Sequence, residues 1–202
     1  MLIFKNDDTH YIFIHIPKNG GKYLRTKILN TKNNILVKSY WNIHSSLDLA
    51  HIPYVKKDSF IDDIEYKYFT YTRCPYDRII SSFFYKNRNK TINDFKHFIK
   101  NVLPKYKFST DFHSDIIHYY PQYLFLCDEN LNVQKDIVLY KLDQLETPRK
   151  YNLNKFLDQE CIHIINTVYH KDFLHLGYKM IKSHFSNYKN QRFRKINMKM
   201  SL

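Results

Sequence analysis

Apolar residues in this chain gather in short β-branched and aromatic runs separated by polar stretches, and each run predicts an element. Tyr11-Ile-Phe-Ile-His-Ile16 reads as a buried strand. Leu24, Ile28 and Leu29 fall at helical spacing, so Lys22 to Leu29 reads as a helix ending about Asn30. Ile35 to Val37 is a short strand candidate, and Tyr68 to Thr72 and Asp136 to Tyr140 are clearer ones. Pro75 suits the first turn of a helix over Tyr76 to Lys86, because its missing N–H is not needed there. Thr91 to Val102 reads as another helix, with Thr91 as N-cap and Phe95, Phe98, Ile99 and Val102 on one face. Helical segments follow at Leu153 to Phe156 and Cys161 to Phe173, while the aromatic-rich stretch Ser114 to Leu126 fits neither period.

Strands that alternate with helices imply an α/β fold, a mainly parallel central sheet covered by helices. No repeat, linker or domain break divides the chain, so residues 1–202 are expected to form a single domain. In such sheets a ligand sits beyond the carboxyl ends of the strands. Lys18 and Arg73 both follow strand ends and can converge there.

Composition changes this picture little. Hydrophobic residues at 44% and aromatics at 17% exclude a disordered chain. The formal charge of +13 is weakened as evidence, because the wealth of Lys, Asn, Ile, Tyr and Phe matches an A+T-rich coding bias that inflates lysine. The charge is uneven, however. No carboxylate follows Asp172, while Lys179, Lys182, Lys189, Arg192, Arg194, Lys195 and Lys199 do, so a basic tail at about 179–202 supplies seven of the thirteen. Such a tail either draws a polyanion or is simply a solvated basic end. Cys74, Cys127 and Cys161 are odd in number and widely spaced, which fits a reducing compartment and neither a disulfide framework nor a zinc site. With no signal-peptide core and no apolar run near the roughly 18 residues that span a bilayer, the chain is expected to be soluble and intracellular or cytoplasmic.

Only three glycines occur, and two are adjacent in His15-Ile-Pro-Lys-Asn-Gly-Gly21-Lys22-Tyr23. A basic, Gly-containing loop between a strand and a helix N-terminus suits a phosphate or sulfate, although Gly20-Gly21 alone fits a plain turn equally well. A kinase-type phosphate loop would need Gly at position 16 and Ser or Thr at position 23, where this chain has Ile16 and Tyr23. The hydroxyl that would hold Mg²⁺ is missing, and no metal is expected.

These residues resemble a family. His15-Ile-Pro-Lys-Asn-Gly-Gly21 resembles the H-I-P-K-T-G-G loop of carbohydrate- and heparan-type sulfotransferases, which use 3′-phosphoadenosine 5′-phosphosulfate (PAPS). Arg73-Cys-Pro-Tyr-Asp-Arg78-Ile-Ile-Ser81-Ser-Phe is similar to that family's R-[DN]-P-Y-D-R-x-x-S-x-[YF] motif, with weaker echoes in His118-Tyr-Tyr-Pro-Gln122 and Asp172 to Tyr178. The resemblance spans about residues 11 to 180. It implies a P-loop-like nucleotide-binding architecture and sulfuryl transfer from PAPS to a hydroxyl acceptor, a glycan or glycolipid foremost. Lys18 with Asn19, Gly20, Gly21, Lys22 and Tyr23 would hold the 5′-phosphosulfate, and Arg73 and Ser81 the 3′-phosphate. Lys18 would also neutralise charge on the leaving phosphate.

The resemblance also suggests His44, in Asn42-Ile-His44-Ser-Ser-Leu47, as the base that accepts the acceptor's proton. His15 competes, but lies in a strand run where a satisfied core histidine is expected. Arg78 is read as structural, pairing with a carboxylate. Lys22, Tyr23 and Cys74 depart from the family pattern, and Tyr23 would crowd the sulfate. Two rival readings remain: a P-loop-like kinase using ATP, and a non-catalytic basic module for nucleic acid or another polyanion. The latter predicts affinity that follows the tail charge and falls with salt.

Overall fold

Four of five strands in the central sheet point the same way. The computed structural model describes residues 1–44, 47–144 and 151–182. Its sheet is built from β1 (Leu2–Asn6), β2 (Thr9–Ile14), β3 (Asn34–Ser39), β6 (Lys67–Thr72) and β7 (Val138–Lys141), in the order β3-β1-β2-β6-β7. β4 (Ile43–His44) and β5 (Leu47–Asp48) form a separate small hairpin. β2, β6 and β7 are parallel neighbours, while β1 is antiparallel to both β2 and β3 and is the one reversed strand of the five. The fold is therefore α/β with a mainly parallel sheet.

Alternation along the strands explains which faces are covered. Leu2, Phe4 and Phe13 point to one face, where α1 (Gly21–Leu29) packs Leu24 and Ile28 against them. Ile3, Ile12 and Ile14 point to the other, against Ile117, Tyr120 and the buried stretch Tyr123 to Cys127. A third cluster joins α2 (Pro75–Lys86), α3 (Ile92–His97), α5 (Gln159–Val168) and α6 (His170–Leu176) through Ile79, Ile80, Phe95, Ile99, Ile165 and Phe173. The short α4 (Leu153–Phe156) packs on its rim. Among the described residues no helix is long and apolar enough to cross a membrane.

Several boundaries differ from the expectation, each for a local reason. β1 makes a hairpin with β2 through Asp7 in the left-handed region (φ 50°), so the sheet gains a strand. β2 ends at Ile14, where its pairing with β6 stops, although Ile16 stays buried. Thr91 does cap α3 in a reciprocal capping box with Asp94, but α3 ends at His97 and widens into a looser turn over Phe98–Val102. Pro104, close behind, has no N–H to continue the ladder. The segment expected as one helix over Cys161 to Phe173 breaks at the buried Tyr169, whose hydroxyl donates to the Tyr119 carbonyl at 2.7 Å. The stretch Ser114 to Leu126 resolves into two tight turns, Ile117–Tyr119 and Gln122–Leu126.

Candidate functional site

The loops after β2 and β6 lie side by side, as parallel neighbours require. Lys18 takes a left-handed conformation (φ 68°), as does Gly20 (φ 75°), and α1 starts at Gly21. Leu24 donates to the Gly20 carbonyl at 3.0 Å as the first helical bond. The amides of Gly21, Lys22 and Tyr23 precede it and have no partner within the helix, which leaves them available to an anion. Lys22 and Tyr23 are exposed on this first turn, so Tyr23 stands out in solvent and does not fill the loop. Glycine is needed at position 21 because the His15 ring occupies the space of a Cβ there.

Arg73 reaches across to this loop. Its Nη1 donates to the Lys18 carbonyl at 3.1 Å. Gln122 locks the two segments together: its Oε1 accepts from Asn19 Nδ2 (2.8 Å) and from the Arg73 amide (3.0 Å), and its Nε2 donates to the Arg73 carbonyl (2.8 Å). The Asn19 amide also donates to the Tyr71 carbonyl at 2.7 Å. Its side chain is thus committed to fastening the loop to the sheet, and its backbone N–H donates to the Ile16 carbonyl at 3.4 Å. Asp172 holds Gln122 in turn, accepting from the Gln122 and Tyr123 amides at 2.9 and 2.8 Å. Complete burial pushes the Asp172 carboxyl up to about 6, against the pull of Arg78 and these amides.

Arg78 makes no ion pair with a carboxylate among the described residues, although the Asp172 charge acts on it. Its Nε donates to the Pro17 carbonyl at 3.0 Å and its Nη1 to the Tyr120 carbonyl at 2.7 Å. A fully buried guanidinium thereby fixes the base of the loop, and burial lowers its pKa. Ser81 is buried on α2. Its neighbour Ser82 donates to the His118 carbonyl at 2.7 Å.

The histidines divide into exposed and buried positions. His44 is exposed on β4. His15 is buried, as a core residue should be, yet its Nδ1 has no hydrogen-bond partner. Its ring centroid lies 4.3 Å from that of His51, which lies 5.6 Å from that of His118. His118 stacks on Tyr85 at 4.8 Å, and Lys18 Nζ sits 3.8 Å from the centroid of that same Tyr85 ring. A chain of rings therefore runs from His15 to the loop lysine. Burial, then neighbouring positive charge, pushes His118 down to about 2, and burial pushes His51 to about 3 despite its backbone hydrogen bond.

Sequence reasoning missed His51 and Tyr85 at this site, and read Gln122 and Asp172 only as motif echoes. Nothing in local pattern marks them, since they meet only through tertiary packing. The arginines and lysines beyond residue 182, including Arg192, Arg194 and Lys195, lie outside the described residues. No family model, curated protein or solved structure matches this chain.

Proposed function

We propose that the chain is a PAPS-dependent sulfotransferase acting on a hydroxyl acceptor, a glycan or glycolipid foremost. The observation that carries this reading is the junction of the two motif loops, where Arg73 donates to the Lys18 carbonyl beside the open first turn of α1. One loop then offers backbone amides and Lys18 to the 5′-phosphosulfate. The other offers the remaining guanidinium donors of Arg73 and the Ser81 hydroxyl to the 3′-phosphate. The strand, loop and helix order beside parallel β6 supports a P-loop-like architecture. Tyr23, standing where a kinase needs a Mg²⁺-binding hydroxyl, speaks against ATP chemistry.

In this reading the acceptor oxygen attacks sulfur in line as the bond from sulfur to the phosphate oxygen breaks. Adenosine 3′,5′-bisphosphate leaves, and Lys18 neutralises the charge growing on its 5′-phosphate. The acceptor's proton goes to His118, which is one ring away from Lys18, rather than to the exposed His44. The reading is tested by incubating the chain with radiolabelled PAPS and panels of glycan, phenolic and small alcohols. Label transfer that is lost in Lys18→Ala supports it. ATP turnover with Mg²⁺, in the absence of label transfer, overturns it.

A further inference from the structure

Asp48, His51 and His118 each offer one ligand atom within 4.8 Å of the others, the one such group of three among the described residues. Two features distinguish this group from a chance meeting of polar side chains. The first is the tautomer of His51. Its Nδ1 lies 2.6 Å from the His15 carbonyl, which can only accept, so Nδ1 carries the proton and the Nε2 lone pair faces Asp48 Oδ2 at 4.0 Å. An imidazole whose far N–H is tied to a backbone carbonyl is the usual outer support of a metal ligand.

The second feature concerns His118. The residue is more than nine-tenths buried, and its Nδ1 has no hydrogen-bond partner among the described residues. The ring is nonetheless held, by stacking on Tyr85 and by the Ser82 bond to its own carbonyl. A buried polar atom without a partner is costly, and an ion held through that nitrogen would remove the cost. Asp48 supplies the anionic ligand, with its Oδ1 positioned by the Ala50 amide at 3.0 Å.

We infer that Asp48, His51 and His118 form a site for a divalent first-row transition metal of the zinc class. Two imidazoles and one carboxylate suit zinc or cobalt in a tetrahedral site with one open position. Bonds of about 2.0–2.1 Å place ligand atoms roughly 3.3 Å apart, so the three side chains close by about an ångström on binding. Arg78, Lys86, Lys18, Arg25 and the Met1 ammonium surround the group and oppose a cation, which makes this a weaker site than the same ligands would form in acidic surroundings. An ion here takes the lone pair that proton acceptance by His118 needs, so the two roles exclude each other.

The test uses Co²⁺ and Zn²⁺ with the full chain and does not depend on any transferase activity. Titration with Co²⁺ should give one equivalent with the visible absorption of a tetrahedral site, displaced by Zn²⁺. The absorption should be lost in His118→Gln and in Asp48→Asn, and Zn²⁺ should raise the melting temperature of the unsubstituted chain but not of Asp48→Asn. Asp48 is partly exposed, and Asn keeps an acceptor for the Ala50 amide, so this variant reports even where His118→Gln fails to fold. Absence of the absorption in the unsubstituted chain, or its persistence in Asp48→Asn, overturns the proposal.

Discussion

The imidazole of His15 lies where a β-carbon on Gly21 would have to stand. The glycine at the head of α1 is therefore a matter of space, because the strand end behind the loop presses its ring onto the backbone. Gly21→Ala should cost about 1–3 kcal/mol, the range for forcing atoms into a packed site. His15→Ala opens room, so the double variant should lose less than the sum of the two singles. Urea denaturation of the four proteins measures that coupling. Strict additivity would separate the two residues.

Gln122 and Asp172 make a second test of how the site is held. Removing the Asp172 carboxylate leaves the Gln122 and Tyr123 amides buried without an acceptor. Asp172→Ala should lower stability by about 1–3 kcal/mol per orphaned group. Gln122→Ala should also loosen Asn19 and Arg73, so nucleotide affinity should fall along with stability. Unchanged affinity in a folded Gln122→Ala protein would show that the loops hold their places without it.

Acid stability should depend on Asp158, the N-cap of α5. Burial alone would raise its pKa, but the Cys161 amide and the Lys100 side chain outweigh that and hold it at about 2. The folded value lies below the unfolded one near ~3.9. Its stabilisation is therefore fully present above about pH 4 and is lost as pH falls through about 2. Asp158→Asn should be less stable than the parent near neutrality, with the gap closing by about pH 2. A gap that stays constant across that window would contradict the assignment.

Proton acceptance separates the exposed histidine from the buried one. His118→Gln should lower sulfuryl transfer by about 10²–10⁴-fold while adenosine 3′,5′-bisphosphate still binds. His44→Ala should change turnover little. The opposite pattern would return the role to His44, as the family resemblance first suggested.

Local pattern in the chain carries much of the fold and less of the site. Short β-branched and aromatic runs mark β2, β6 and β7, Pro75 marks the start of α2, and Thr91 marks the cap of α3. Lys18 and Arg73 were legible because strand ends in a parallel sheet must lie together. The cluster of His51, His118 and Asp48 was not. His51 and His118 are 67 positions apart and are joined only through packing against His15, just past the end of β2, and against α2. Asn19 and Arg78 kept their places in the motif, but their side chains serve backbone carbonyls, and Asn19 also serves Gln122, a use that spacing does not reveal.

The most direct test of the central claim is calorimetric titration of the chain with adenosine 3′,5′-bisphosphate, and separately with ADP. The two nucleotides share an adenosine and differ in where the second phosphate sits, and Arg73 and Ser81 are the groups assigned to tell them apart. The 3′,5′-bisphosphate should bind clearly more tightly without added metal, and Arg73→Ala should remove roughly 2–4 kcal/mol of that binding, as when a hydrogen-bonded charge pair loses one partner. Equal affinity for the two nucleotides, or tighter binding of ADP with Mg²⁺, would contradict a PAPS site.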